Sequence, residues 1–86
     1  MIDYKILEKY TDYMERPKGI SYKKLWLRLI EHNISQAQFR KDLNIATGTM
    51  TKLRRNEEVA ISILLRICTY LDCNIGDICD AVDLEF

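Results

Sequence analysis

Hydroxyl and cationic side chains recur at helical spacing between residues 47 and 55, where they could donate hydrogen bonds and attract anions. In a helix, the apolar residues Met50 and Leu53 of this segment face inward. The opposite face then carries Thr47, Gly48, Thr51, Lys52 and Arg55. A polar, partly cationic helical surface of this kind can be laid into a DNA groove.

Another predicted helix comes directly before the 47–55 segment and is joined to it by a tight turn. Ser35 can cap its N-terminus while Gln38, three residues on, reaches back in a capping box. Asn44 occupies the turn, where it tolerates the left-handed backbone conformation, and Ile45 returns to the core. The stretch 35–56 therefore predicts a helix-turn-helix.

This helix pair and its flanks resemble the phage repressor and Cro type of helix-turn-helix, also called Xre-like. The resemblance runs from about Ile20 to Val82 and includes ISYKKLW at 20–26 and LLRICTYLDCNIGDICDAV at 64–82. It implies a small bacterial or phage transcriptional regulator whose second helix of the pair, about 47–55, reads the major groove of double-stranded DNA.

The resemblance also implies a role for each matching position. The positions that contact base edges hold Thr47, Gly48 and Lys52, with Thr51 beside them. Lys52 could donate to guanine O6 and N7, and Thr47 could offer a hydroxyl or place its methyl group against thymine. Phosphate contacts are implied for Gln36, Thr49, Arg54, Arg55 and Asn56.

Four positions depart from the family pattern. Gly48 stands where many relatives carry a base-reading side chain, so weak sequence discrimination is expected. Arg40 replaces the small residue commonly packed between the two helices. Ala46 and Ala60 occupy cap positions where Ser or Thr is usual, at a cost of about 1 kcal/mol each. The helix at about 47–55 is therefore expected to fray until DNA orders it.

The formal net charge of the 86 residues is zero, but the charges are unevenly distributed. From Ile20 to Arg55, eight basic residues stand against two acidic ones, a net of +6, whereas the chain from Asn56 onward has a net of −6. Attraction to phosphate needs a basic patch rather than a basic whole. A solvated charged face is the alternative interpretation. The coincidence of the basic segment with the helix pair favours DNA.

The resemblance and the apolar spacing together predict an all-α fold: a compact five-helix, lambda-repressor-like DNA-binding domain with an extra N-terminal helix. A helix over about 22–32, capped by Ser21, comes before the pair. A fourth helix after the pair carries the apolar stripe Ile61, Leu64, Leu65, Cys68 and Leu71. Asn74 caps a short fifth helix that buries Ile75, Ile78, Cys79 and Val82. No segment shows sustained strand alternation.

Residues 1–19 are predicted to form an N-terminal amphipathic helix and linker, and residues 20–86 the helix-turn-helix domain. The N-terminal apolar stripe could fold back on its own domain, pair with a second copy or dock on another protein through residues 1–15, and its spacing does not decide among them. No apolar run approaches the length of about eighteen residues that a membrane span needs. The opening MIDYKILEKY carries charges throughout, which argues against a secretory signal. We expect a cytoplasmic, nucleoid-associated protein without membrane contact.

Metal, redox and catalytic chemistry find little support in the sequence. Cys68, Cys73 and Cys79 are spaced by five and six residues, which matches no paired zinc-ligand spacing, and His32 is the single histidine. There is no Gly-rich phosphate loop, and the carboxylates share no evident pocket. We therefore predict no enzyme activity, no metal and no cofactor.

The function that the sequence supports best is sequence-specific binding to double-stranded DNA by a transcriptional regulator, as a repressor that occupies an operator. A monomer of this size makes few base contacts, so we expect a homodimer on two half-sites about 34 Å apart. The alternative is a protein-interaction module, an antitoxin-like or anti-regulator subunit in which DNA binding is weak or lost.

Overall fold

The computed structural model describes residues 18–84. In this part of the chain, four α-helices and one turn of 3₁₀ helix lie between two short strands in chain order. The elements in chain order are β1 (Lys18–Ser21), α1 (Lys23–Glu31), α2 (Gln36–Leu43), α3 (Thr47–Arg54), α4 (Ile61–Leu71), the 3₁₀ turn (Ile75–Asp77) and β2 (Asp80–Asp83).

Each of the four α-helices ends in the same way, on a left-handed residue that is not glycine. These residues are Asn33 (φ 56°), Asn44 (φ 52°), Asn56 (φ 56°) and Asp72 (φ 50°). The residue after each one donates its N–H to the carbonyl five positions earlier, as Ile45 does to Arg40 at 3.0 Å. This is the Schellman arrangement, which satisfies helix-end carbonyls that would otherwise lack a partner. Asn and Asp take this conformation more readily than other residues with a side chain. The residue at each helix end therefore favours termination of that helix without help from distant parts of the chain.

The core is formed by one apolar face from each α-helix together with buried residues of the connecting segments. The buried residues are Tyr22, Leu25, Leu29, Phe39, Ile45, Met50, Leu53, Leu64, Ile67, Leu71, Ile78 and Cys79. Phe39 of α2 lies at its centre, where it meets Trp26 edge-on at 6.4 Å between ring centroids and Tyr70 at 6.2 Å. Aromatic pairs in such orientations add to the stabilisation from burial alone. The core thereby fixes α2 against α1 and α4.

A two-stranded antiparallel sheet joins the two ends of the described chain. Its register pairs Lys18 with Asp83 and Ser21 with Asp80. An ion pair between Lys18 and Asp83 closes the outer end of the sheet. At Gly19, an added Cβ would meet the end of the Leu84 side chain, which is exposed and would have to move aside. The expectation of an all-α fold is therefore wrong in this region.

The predicted fifth helix is also wrong. Asn74 and Asp77 form a reciprocal capping box in which the Asn74 N–H donates to Asp77 Oδ2 at 2.9 Å. The helix stops after the single turn Ile75–Asp77, because the chain then pairs with β1 as β2. Ile78 and Cys79 still reach the core, as predicted. The predicted N-terminal helix lies outside the described residues.

Two predicted apolar stripes differ in detail from the observed faces. On α1, Leu25 and Leu29 are buried, but Ile30 is 70% exposed. On α4, the buried stripe contains Ile67, whereas Ile61 and Leu65 are exposed. These helices carry apolar residues on more than one face, so spacing alone does not identify the buried side.

Candidate nucleic-acid interface

Helices α2 and α3 form the predicted helix-turn-helix. The Ser35 hydroxyl accepts the Gln38 N–H at 3.0 Å, so the predicted N-cap of α2 is present. The Gln38 side chain donates to Asp42 instead of reaching back, and the second half of the predicted capping box is absent. Asn44 is left-handed and Ile45 is buried, as expected for a tight turn that leads back to the core.

Helix α3 has one buried and one exposed face. Met50 and Leu53 have no exposed surface, and they attach the helix to the core. Of the five residues predicted to face outward, four are exposed: Thr47, Gly48, Lys52 and Arg55. Thr51 is half-buried, and its hydroxyl donates to the Thr47 carbonyl at 3.1 Å. The predicted base-contact residues thus lie along one side of α3, with Thr51 the least accessible.

The outer face of α3 has cations without partners. Among residues 18–84, no hydrogen bond or ion pair engages the side chain of Lys52 or Arg55. Gly48 lies between them and the N-terminus of the helix. A Cβ built at Gly48 would meet no atom of the described chain within 4 Å. The surface is therefore open at the position where a base-reading side chain is usual.

The five residues predicted to contact phosphate do not share one environment. Arg54 Nε donates to Gln36 Oε1 at 3.0 Å, and this bond joins the start of α2 to the end of α3. Asn56 ends α3, and its Oδ1 accepts the Tyr22 N–H at 3.0 Å. Thr49 is half-buried on the first turn of α3. The amide group of Asn56 and the remaining N–H groups of Arg54 stay available as donors.

Arg40 is a residue of this surface that the predicted site did not include. Its exposed guanidinium crosses the turn, with Nε 3.2 Å from the Ile45 carbonyl and Nη2 2.9 Å from Thr47 Oγ1. The sequence signal was the departure from a small residue at this position. Its partners lie five and seven residues away and become evident only once the turn has folded.

The N-terminus of α3 has no side-chain cap. Ala46 is the N-cap residue and makes no such hydrogen bond. The first backbone N–H groups of the helix therefore have no partner from a cap, and with the helix dipole they form an environment that favours an anion. This part of the surface faces the same side as Thr47 and Gly48.

The ion pairs of the described chain involve three basic residues outside the helix pair: Lys18, Lys24 and Arg28. Lys24 Nζ lies 2.9 Å from Asp80 Oδ1, and Arg28 Nη2 lies 3.9 Å from Asp77 Oδ1. Both acidic partners belong to the acidic C-terminal segment. Within residues 18–84, no ion pair involves the basic residues of the helix pair, which are Arg40, Lys41, Lys52, Arg54 and Arg55. Five basic residues against the single acidic Asp42 therefore leave the helix pair with a net positive charge that no ion pair of the described chain reduces.

The cysteines carry no evident site chemistry. Cys79 is buried, and Cys68 and Cys73 are half-buried, all three as free thiols. Burial raises the pKa of both Cys73 and Cys79, so these thiols are protonated near neutral pH. In the described part of the chain, no cluster of three or more His, Cys, Asp or Glu side chains could hold a metal ion. None of the helices described in residues 18–84 is long and apolar enough to cross a membrane.

Comparisons with known proteins agree with this geometry. The family described as Cro/C1-type HTH DNA-binding domain matches residues 24–83. Among solved structures, the chain is similar to a crystal structure of the transcriptional regulator VanUg, with 37% sequence identity and a TM-score of 0.76. This match covers 78% of the present chain and 89% of that chain. Comparison with curated proteins finds no match. The protein belongs to the Cro/C1-type helix-turn-helix family of DNA-binding domains.

Proposed function

We propose that the protein is a transcriptional repressor that binds operator DNA with α3 in the major groove. The observation that carries this proposal is the two-sided character of α3. Its Met50 and Leu53 face is wholly buried, and its opposite face carries Lys52 and Arg55 without partners in the described chain. Cations without internal partners, on a helix that its buried face fixes to the core, are suited to an anionic duplex.

The proposed base contacts come from Thr47, Gly48, Thr51 and Lys52. Lys52 donates to guanine O6 and N7, and Thr47 uses its hydroxyl. Gly48 brings the helix backbone close to the base edges, since no side chain separates them. Thr51 contributes least, because its hydroxyl proton is already donated to the Thr47 carbonyl.

The proposed phosphate contacts come from Gln36, Thr49, Arg54, Arg55 and Asn56. Gln36 and Arg54 act as a unit, since the hydrogen bond between them leaves the amide of Gln36 and the outer N–H groups of Arg54 free to donate. Asn56 keeps its carbonyl on Tyr22 and offers its amide N–H groups to the backbone of the duplex. Thr49 lies beside the uncapped N-terminus of α3, where an anion is favoured.

We further propose that two copies bind an inverted pair of half-sites about 34 Å apart. We propose a helix-turn-helix domain over residues 20–86 after an amphipathic segment within residues 1–19; Lys18 and Gly19 belong with the domain, because β1 pairs them with Asp83 and Val82. Either residues 1–15 or the acidic C-terminal face forms the dimer contact. Ile30 and Ile61 support a protein contact of some kind, because they are 70% and 65% exposed and large. The same exposure supports the alternative of an interaction module with weak DNA binding.

The experiment that tests the proposal is selection from a randomised duplex DNA pool by the purified full chain. We expect enrichment of a paired, inverted motif, with affinity that falls steeply as salt rises. Each cation that neutralises a phosphate contributes about −0.9 to the slope of log K against log salt. Absence of any retention at low salt would refute DNA binding and favour the interaction module.

A further inference from the structure

Arg40 connects the two helices of the pair through the turn. It projects from the C-terminal half of α2, and its Nε donates to the Ile45 carbonyl at 3.2 Å. Its Nη2 donates to the hydroxyl of Thr47, the first residue of α3, at 2.9 Å. Two donors of one planar group thus hold the turn and the start of α3 in a fixed relation.

This connection stands where α3 lacks a conventional start. Ala46 offers no side chain to cap the helix. The N-terminal residues of such a helix are prone to fraying. The guanidinium instead attaches Thr47 to α2, and α2 is attached to the core by the fully buried Phe39. The position of Thr47 is therefore set by Arg40 and not by a cap.

The hydrogen bond also determines what the Thr47 hydroxyl can do. A guanidinium has donors only, so the oxygen of Thr47 must accept from it. The hydroxyl proton is then left to donate to a group outside the chain. A further N–H donor that approached this oxygen would also approach a positive charge, which disfavours it.

We propose that Arg40 is a positioning residue that makes Thr47 select a hydrogen-bond acceptor in the major groove. The acceptors of this class are purine N7, guanine O6 and thymine O4, whereas the exocyclic amino group of cytosine is a donor. Thr47 accordingly prefers an acceptor edge and disfavours cytosine at the base that it contacts. This inference rests on the proposed function of α3.

The test compares base preference among variants on duplex DNA selected by the wild-type chain. Arg40→Met removes the donors and keeps an unbranched apolar stem. Thr47→Val removes the hydroxyl, and the double variant removes both. We expect the wild type to disfavour cytosine at one position by a factor of about five, the size of one neutral hydrogen bond. Each single variant loses this preference, and the double variant shows no further loss.

Arg54→Met is the matched control, since Arg54 also donates to a neighbouring side chain on this surface. As a proposed phosphate contact, it should weaken binding evenly across sequences and lower the salt slope by about one. Arg40→Met should leave the slope unchanged. Thermal unfolding of each variant separates these effects from loss of the fold.

The outcomes are distinguishable. An even loss of affinity in Arg40→Met, with a lower salt slope and unchanged base preference, would show a phosphate contact and refute the inference alone. If Arg40→Met does not fold, Arg40→Ala, which carries a small residue of the kind common at this position in the family, takes its place: loss of the preference in both Arg40→Ala and Thr47→Val supports the inference, and its retention in either refutes it. No retention of any duplex by the wild type at low salt would refute the proposed function, and the inference with it.

Discussion

Substitution of Gly48 by glutamate should raise stability and weaken DNA binding at the same time. Gly48 is the second residue of α3, and a Cβ there meets no atom of residues 18–84 within 4 Å. Glutamate therefore fits without repacking. Its helix propensity exceeds that of glycine by about 0.5–1 kcal/mol, and a carboxylate in the first turn of a helix adds about 0.3–1 kcal/mol through the helix dipole.

The expected gain in the free energy of unfolding is about 1 kcal/mol, because the propensity difference is smaller at a helix end than in the interior. For a domain of this size it corresponds to a rise in Tm of about 4–8 °C, measurable by circular dichroism. Binding to the selected duplex, followed by fluorescence anisotropy, should weaken by about tenfold or more. A carboxylate held against phosphates and base acceptors is a like-charge contact in a desolvated interface.

The matched control is Ser62→Glu. Ser62 is the exposed second residue of α4, which also begins after an alanine without a side-chain cap. The same charge at the equivalent helical position should raise Tm and leave DNA affinity nearly unchanged. A fall in Tm for Gly48→Glu would contradict the open surroundings of Gly48. Unchanged DNA affinity would refute the placement of α3 in the groove.

Three further predictions concern charge, pH and the turn. Reversal of Lys52 and Arg55 to glutamate should abolish duplex binding in the anisotropy assay. Tm should change by no more than a few degrees, because neither side chain has a partner in the described chain. Unfolding of this variant would contradict the absence of such partners. The hydrogen bond from Tyr70 to Asp42 raises the pKa of the Tyr70 hydroxyl in the folded protein. The stability that this bond contributes is therefore fully present below the unfolded pKa of about 10, and it is lost as the pH rises through the folded pKa. Urea unfolding between about pH 8 and pH 11 should show a smaller alkaline loss of stability for Tyr70→Phe than for the wild type, and equal losses would count against this bond. Asn44→Ala should lower the free energy of unfolding by about 1 kcal/mol because alanine is strained at φ 52°, whereas Asn44→Gly should be tolerated; equal effects of the two would overturn the assignment of strain.

The helix-turn-helix could be predicted because its signals are local. The Ser35 cap, the Asn44 turn and the inward positions of Met50 and Leu53 depend on neighbours within one or two helical turns, and all are present in the fold. The same local rule locates the other helix ends at Asn33, Asn56 and Asp72.

Features that depend on distant residues could not be predicted in this way. Strands β1 and β2 have four residues each, too few for an alternation signal, and they pair across most of the chain. Helix α4 has apolar residues on several faces, so the burial of Ile67 instead of Leu65 is decided by packing. The contact between Arg40 and Thr47 requires the turn to be folded first. The sequence could predict which residues belong to the proposed site, but it could not predict their hydrogen-bond partners.

The small sheet gives the domain a mechanical property. Its antiparallel register places Lys18 and Asp83 together at the open end, and the loop of chain that it closes contains all four helices. A force that pulls Lys18 and Asp83 apart would break the hydrogen bonds of the sheet one residue pair at a time, starting at this open end. It would not shear all the strand hydrogen bonds at once. The sheet should consequently open at low force, before the helices that carry the proposed DNA-binding surface come apart.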